Sequence, residues 1–499
     1  MSEDLATWID DNARRNPTSL ALEFEGRCVS QQTFAESVAD AASWLHERGV
    51  GPGDRVAYLG PNRPEAIELL FACSRLAAVY LPLNSRLAPA EHRWILDDAE
   101  PSLIVEDSQF CAHLDVVNHS AQRAALPEAW SGWGNGNSAE TPRVGTNSDA
   151  VLLAYTSGTT GHPKGAILNQ AALRANASNG IAAHDLTAVD RVLTLLPLFH
   201  VGGLNIQTMP AMSVGAPVLL HRAFDPTAWI EDVERWQPTL SLLVPATLVA
   251  VSQHPGFAAA DLSSLRGLMT GSSTVPDAVL RPYLNRGIAV GQIYGSTETA
   301  PTAIALRLED SFEHPLSCGT PAALCEVRVV DSDSNDVEPG ARGELWVKGP
   351  NILTEYWRNP VATAESITDG WFHTGDVGHV DPDGFFYIDD RIKDVIISGG
   401  ENVYPAEIEN VLADCREVAD GVVIARPDER WGEVPIVVAV AASPTINAAL
   451  TDAVLDHFAG RLARFKIPKD VVWVDELPRN AMGKVLKHVL RDNYRCNSS

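Results

Sequence analysis

The chain of 499 residues is long enough for roughly three domain-sized units with a cleft between them. Its 45% hydrophobic and 20% charged residues are ordinary globular usage, which excludes a largely disordered chain. Sixty-four acids against thirty-eight bases leave a formal net charge of −26, so nucleic acid and anionic membrane surfaces are poor partners, and no local basic patch overrides that balance.

The opening residues MSEDLATWIDDNARRNP are polar and acidic where a secretory leader needs a basic start and an apolar run. No stretch approaches the ~18 apolar residues of a membrane span, and the final CNSS is not a peroxisomal tripeptide. The seven cysteines are odd in number and form no C-x-x-C, so neither a disulfide framework nor a zinc knuckle is indicated. A cytoplasmic protein is the expectation.

From residue 55 short β-rich runs alternate with helical patterns: RVAYLG, the turn PNRP, the helix EAIELLFACSRLAA, then VYLPLN. That helix is apolar on more than one face, which fits a helix sandwiched inside an α/β core. Further buried strands are expected at 151–155, 191–197, 216–221 and 240–246, giving a mostly parallel sheet. The Gly-, Ser- and Asn-rich stretch 128–149 reads as a surface connection separating two α/β units. After about residue 315 the pattern changes to short alternating strands with tight turns, the grammar of hairpins and barrels. From about 395 the sequence mixes two helices (PAEIENVLA and TDAVLDHFAGRLA) with strands, as a separate α+β unit would.

The most specific local signal follows the 151–155 strand: Thr156, Ser157, Gly158, Thr159, Thr160, Gly161, His162, Pro163, Lys164 and Gly165. Four hydroxyls and unhindered backbone N–H groups can curl around phosphate oxygens while Lys164 supplies a compact charge. Pro163 stands where a Walker A loop needs its second Gly, so the P-loop NTPase reading fails. A plain hydrophilic turn is the alternative. The chain holds seven lysines against thirty-one arginines, yet keeps Lys at 164 and 484, both in Gly-containing motifs; a thin, flexible ammonium suits a crowded phosphate site.

TSGTTGHPKG resembles the phosphate loop of the adenylate-forming superfamily of acyl-CoA synthetases, 4-coumarate–CoA ligases, luciferases and peptide-synthetase adenylation domains. The resemblance covers nearly the whole chain, through LPLFHVGG (196–203), GSS (271–273), YGSTE (294–298), GWFHTGD (370–376), DRIKDVIISGGENVYPAEIE (390–409) and PRNAMGK (478–484), in that order. It implies an α/β fold with a large N-terminal part, residues 1–390, made of two α/β subdomains and a small β-barrel. A hinge at 391–394 and a smaller mobile α+β domain, residues 395–499, follow.

By the same resemblance Thr156, Ser157, Gly158, Thr159, Thr160, Gly161 and Lys164 hold ATP phosphates, and Glu298 is the Mg²⁺ ligand. Tyr294 looks like the residue that stacks on adenine, with Gly295, Ser296 and Thr297 beside it, and Asp376 and Arg391 like the pair that binds the ribose hydroxyls. Gly271, Ser272 and Ser273 line adenine and the acyl carboxylate; many relatives have Gly-Gly-Ala there. Lys484 resembles the catalytic lysine that relieves charge as a carboxylate attacks the α-phosphate; Thr156, Lys164 and Glu298 assist it. Lys393 takes the hinge place, and Ser398, Gly399, Gly400 and Glu401 resemble the loop that admits CoA in the second step.

The acyl wall implied is His200, Val201, Gly202, Gly203, Pro245, Ala246, Thr247, Thr270, Gly295, Thr299 and Ala300. Gly295 stands where acetyl-CoA synthetases have a pocket-capping Trp, so an open pocket for a longer aliphatic or aryl acid is expected. His200 replaces the Asp of amino-acid-activating relatives, which argues against an α-amino acid. The implied activity is ATP- and Mg²⁺-dependent acyl-CoA synthesis through acyl-AMP, with CoA as cosubstrate and a homodimer compatible with the sequence. Loading of a carrier-protein thiol, or a catalytically silent nucleotide- or acyl-binding regulator, are the alternatives.

Overall fold

Two parallel sheets, built from interleaved stretches of chain, set the position of everything downstream. The structure is a computed structural model that describes residues 4–126, 133, 141–156, 163–271, 275–399, 401–428, 430–444, 446–480 and 483–494. The first sheet has seven strands. Five are parallel (Gln122–Leu126, Leu103–Asp107, Arg55–Leu59, Val79–Leu83 and Ala150–Thr156), followed by antiparallel Lys164–Asn169 and Glu355–Tyr356. The second has nine, six of them parallel: Val290–Tyr294, Gly267–Gly271, Leu240–Leu242, Val192–Thr194, Val218–Leu220 and Leu20–Phe24.

The expected strands therefore form, but they divide between two sheets. The 128–149 stretch does not separate α/β units, because Gln122–Leu126 and Ala150–Thr156 on its two sides belong to one sheet. It is instead the N-terminal strand Leu20–Phe24 that crosses to the other sheet, pairing with Val218–Leu220. Local alternation reports that a run is a buried strand but not which sheet buries it.

The helix Pro64–Leu76 is buried on all sides, with twelve of its thirteen residues inside. Ile67, Leu70 and Phe71 share a core with Phe34 and Val38 of helix Gln31–Glu47 and with Leu152 and Val218 from the two sheets. Its all-round apolar sequence is what a helix clamped between layers requires.

A five-stranded antiparallel sheet (Glu326–Val330, Gly343–Lys348, Ile367–Thr368, Trp371–Val380 and Phe386–Arg391) occupies the region with barrel-like patterning. The C-terminal unit is built on the long hairpin Val418–Asp428 and Gly432–Ala441. Period-2 alternation sends Val423 and Val437 to one core with Ile408 and Val454, and Val422, Ile424 and Val438 to another with Leu490. Both helices expected there form, as Pro405–Leu412 and Ala448–His457, the second ending ahead of Gly460, whose φ of +74° is left-handed. Among the described residues no helix is long and apolar enough to cross a membrane, and the described cysteines are all free.

One charge inside this core has a consequence for stability. Glu68 is fully buried on Pro64–Leu76 and accepts a 2.6 Å hydrogen bond from Trp133 Nε1; burial, then the nearby Glu65, push its carboxyl from 4.5 up to about 8. A folded-state value raised above the unfolded one stabilises fully below the unfolded value, and that share is lost as pH rises through the folded value. Melting curves of Glu68→Gln are expected to match the parent best near pH 4.5 and to show the variant increasingly more stable towards pH 8. Parallel pH dependence of the two proteins would mean that Glu68 is ionised in the fold.

Candidate active site

The phosphate-type loop lies between two antiparallel strands. Ala150–Thr156 and Lys164–Asn169 pair so that Thr156 and Lys164 are cross-strand partners, and Thr156 Oγ1 donates to Lys164 O at 3.4 Å. Ser157, Gly158, Thr159, Thr160 and Gly161 lie outside the described residues, as do Ser272, Ser273 and Gly400. The hairpin base fixes where Lys164 emerges, independent of the turn itself. Gly165 is needed there because an added Cβ would fall 2.7 Å from Leu153 Cδ1 and 3.2 Å from Trp357 Cβ.

That close approach brings Glu355–Tyr356 to the edge of the first sheet, and with it a residue the sequence did not announce. The Lys164 ammonium lies 5.3 Å from the Tyr356 ring centre, a cation–π contact. The Tyr356 hydroxyl donates to Glu298 Oε1 at 2.8 Å, and Leu353 N–H donates to Glu298 O at 2.7 Å. Tyr356 thus joins the two groups expected at the phosphates and their metal. Glu298 keeps its second carboxylate oxygen, Oε2, free of any described partner. One hard oxygen beside a lysine suits Mg²⁺, which takes one or two carboxylates and completes its shell with phosphates and water. No cluster of three or more metal-ligating side chains occurs among the described residues, so the donor set fits a metal brought in with a nucleotide.

Across the cleft a second cluster forms at strand ends. Tyr294 ends Val290–Tyr294, and its hydroxyl donates to Asp376 Oδ2 at 2.7 Å. Arg391 Nε forms an ion pair with Asp376 Oδ1 at 2.8 Å, and Asp376 and Arg391 are cross-strand partners. Both oxygens of a carboxylate that is only 6% exposed are therefore engaged. Gly271 closes the neighbouring strand; a Cβ there would lie 2.5 Å from Ile293 O. Ser296 and Thr297 follow in the turn, where Ser296 N–H donates to Thr299 Oγ1 at 2.9 Å.

Lys484 comes to this cluster from the C-terminal unit. Burial, then the Arg391 guanidinium, push its ammonium down to about 8, with the Asp376 and Asp394 carboxylates opposing. Lys484 N–H donates to Asn480 Oδ1 at 2.9 Å, and Gly483, at φ +77°, presents a Cβ position 3.3 Å from Ala246 Cβ. Neither Lys164 nor Lys484 forms an ion pair with a described residue, whereas Lys466 and Lys487 pair with Glu407 and Glu409. A lysine with no ion pair to a described residue is a place for an anion.

The acyl-side residues come from several elements. His200 Nδ1 accepts from Gly202 N–H at 3.0 Å, which leaves the proton of a neutral ring on Nε2, and burial lowers the imidazole to about 4. Val201, Gly202 and Gly203 form the short turn that follows, and a Cβ on Gly203 would lie 2.4 Å from Pro197 O. Pro245, Ala246 and Thr247 begin helix Pro245–Ser252; Thr270, Thr299 and Ala300 are buried. Gly295 has a different reason from the open pocket expected of it. Its missing Cβ would lie 1.7 Å from Pro301 O and 2.6 Å from Thr299 Oγ1, so the space is already filled by backbone. A larger residue there requires the 295–301 turn to be rebuilt.

Asn62 is a further residue that sequence reasoning missed. Its Nδ2 donates to Leu196 O and His221 O, both at 3.0 Å, while its Oδ1 accepts from Leu198 N–H at 2.8 Å. It holds the LPLF turn that carries His200. A lone Asn after a strand gives no sign in the sequence that its partners lie more than a hundred residues away. Lys393 is exposed in the turn Ile392–Asp394. Ser398 pairs with Gly432 and Glu401, so Ser398, Gly399 and Glu401 sit on the C-terminal sheet while Lys484 sits at the nucleotide-side cluster.

Comparison with known proteins gives one consistent answer. Residues 9–357 match the family described as AMP-binding enzyme, and residues 407–484 match the AMP-binding enzyme C-terminal domain. An indoleacetate–CoA ligase of Aromatoleum aromaticum is 45% identical, covering 98% of this chain and 98% of its own. A feruloyl-CoA synthase of an Amycolatopsis species is 41% identical over 99% of both chains. The o-succinylbenzoate CoA synthetase of Bacillus subtilis, solved with its acyl-adenylate intermediate, superposes with a TM-score of 0.87 at 32% identity over 97% of this chain and 98% of that one.

The lowered Lys484 makes a thermodynamic prediction. A group lowered to about 8 would be partly uncharged at pH 8, and a triphosphate bound beside it would draw the proton back. Calorimetric titration of ATP in buffers of different ionisation heat is expected to show an uptake of up to about half a proton at that pH, lost in Lys484→Ala. The same uptake in the variant would assign the proton to another group.

Proposed function

The chain belongs to the AMP-binding enzyme family, in the acyl-CoA synthetase branch of the adenylate-forming superfamily, and we propose that its acid is an aryl carboxylic acid. The activity is ATP-dependent acyl-CoA synthesis on an aryl or aliphatic acid, with Mg²⁺ and CoA. The aryl choice is supported by the relatives: those acting on indoleacetate and ferulate are 45% and 41% identical, against 36% for a long-chain-fatty-acid ligase. A cytoplasmic setting goes with it, since ATP and CoA are both drawn there.

In the first step a carboxylate oxygen bonds to the α-phosphorus as the bridge to the β-phosphate breaks, and pyrophosphate leaves. In the second the CoA sulfur bonds to the carbonyl carbon, the bond to AMP breaks with its electrons, and the thiol proton is lost. The first step brings two anions together, so the convergence of Lys484 on the Tyr294–Asp376–Arg391 cluster is the observation that carries the reading. Lys164 and the hydroxyl of Thr156 hold the outer phosphates. Mg²⁺, when bound, neutralises phosphate charge, and Glu298 is its ligand, oriented by Tyr356. Asp376 and Arg391 hold the ribose, with Tyr294 packed beside adenine. His200, neutral and fixed by Gly202, lies along the acyl wall and adds no buried charge to it.

The units proposed are residues 1–390 and 395–499, joined by a hinge at 391–394. Ser398, Gly399, Gly400 and Glu401 admit the pantetheine thiol after the hinge turns.

Pyrophosphate release across a panel of aryl and aliphatic acids tests the reading. It is expected with aryl acids, and thioester is expected only when CoA is added. Release from no acid would sink the activity, and a clear preference for aliphatic chains would sink the aryl assignment. Lys484→Ala should lose at least about a hundredfold in adenylation, yet still convert supplied acyl-adenylate and CoA to thioester. Lys393→Pro should spare adenylation and impair thioester formation; equal loss in both steps would remove the hinge from Lys393.

A further inference from the structure

Gln207 is buried where the fold gives it nothing to bond. It lies in the π-helical turn Leu204–Thr208, 2% exposed, and neither Oε1 nor Nε2 has a partner among the described residues. Buried polar groups are nearly always paired, so an entire unpaired amide calls for a partner supplied from outside the chain. The π-helical turn, a geometry often found at functional sites, is what projects this residue inward.

Gln207 lines a small cavity at the carboxyl ends of the parallel strands Val192–Thr194 and Leu240–Leu242, walled by Leu195, Leu196, Gly203 and Leu242. Ligands of open α/β sheets bind at that edge. Gly203 belongs to the same turn as His200, and Leu242 runs within three residues into Pro245, so the cavity adjoins the acyl wall. It has room for about one water-sized group.

A resident water is the simplest rival, but a buried water needs two to four polar partners. The other polar side chains that line it have no hydroxyl proton left to give. Thr194 and Thr208 share a hydrogen bond of 2.9 Å, and Thr208 Oγ1 donates to Gly203 O at 2.8 Å, which uses both hydroxyl protons. The remaining walls are leucine side chains and glycine.

We propose that Gln207 is a specificity-determining residue whose amide hydrogen-bonds a polar group on the aryl ring of the acid, away from the carboxylate: a hydroxyl or a ring N–H. This rests on the aryl-acid reading above. An amide can donate and accept, so either substituent satisfies it, whereas an unsubstituted ring leaves it unpaired.

The test uses the full chain and matched acids, 4-hydroxyphenylacetate against phenylacetate and indole-3-acetate against 1-naphthylacetate, with pyrophosphate release as readout. The parent is expected to favour the polar member of at least one pair by about tenfold or more in kcat/KM. Gln207→Leu should bring that preference to within about twofold while leaving the apolar acids unchanged and the melting temperature equal or higher. Gln207→Met, unbranched like glutamine, is the second variant. Equal loss with polar and apolar acids, or a lowered melting temperature in both variants, would make Gln207 structural and overturn the inference. No preference in the parent would also overturn it, while release from no acid at all would overturn the underlying reading first.

Discussion

Asp376 is the group around which the site is organised. Its two carboxylate oxygens hold Tyr294 from the nine-stranded sheet and Arg391 from the paired strand of the antiparallel sheet. The next residue back from Arg391, Asp390, accepts from Ala406 N–H at the start of a C-terminal helix. One buried carboxylate and its neighbour thus tie together the ends of three units. A carboxylate accepting two charge-assisted or phenolic donors is strongly oriented, and removing any partner leaves a buried charge exposed to a low dielectric. Burial and then the Arg391 guanidinium make the Lys484 ammonium easier to deprotonate, while Asp376 steadies its charge.

Local cations answer a general difficulty. The chain has a net charge of −26, and an organic carboxylate, ATP and CoA are all anions. At physiological salt the screening length is about 8 Å, so the bulk of that negative charge is not felt inside a cleft, and local cations decide binding. Among the described residues Lys164 and Lys484 form no ion pair, while Lys466 and Lys487 pair with Glu407 and Glu409. Arginine serves elsewhere in structural pairs, such as fully buried Arg63 with Glu65 and Asp107. The scarcity of lysine in the sequence and its placement at the cleft are two views of the same division of labour.

The parts of this arrangement that could be read from sequence are those set by local chemistry. A run of Gly, Ser and Thr closing a hairpin, a helix apolar on every face, and a strand pair with period-2 alternation each carry their own signature. Glu298, Asp376, Arg391 and Lys484 were singled out because short motifs surround them. Tyr356 was not, since its role depends on Glu355–Tyr356 joining the first sheet next to Lys164, almost two hundred residues away. Asn62 and Gln207 were invisible for a related reason: an amide looks alike in a sequence whether it has three partners or none. Gly295 was read as space, but the structure explains it by a backbone oxygen that no local pattern reveals. The partition of strands between two sheets was hidden in the same way, because burial is legible locally and partner choice is not.

The C-terminal unit adds a geometric constraint on any two-step reaction. Arg479 joins Gly483 O to Asp420, which fixes the Lys484 loop near one end of the long hairpin, where Asp420 pairs with Val440. Ser398 pairs with Gly432 at the other end, opposite Asp428. Residues 420 and 428 are separated along an extended strand by about 26 Å, so a stiff two-stranded ribbon holds the two loops apart. With Gly483 against Ala246, the Lys484 end faces the cleft. On the proposed two-step reading, a site that needs both loops would take them in turn, and the short turn at 392–394, exposed at Lys393 and next to the Arg491–Asp394 ion pair, is the proposed hinge. On that reading the charge that favours phosphoryl transfer would leave the site as the loop that admits a thiol arrives, and the length of the ribbon would separate the two half-reactions.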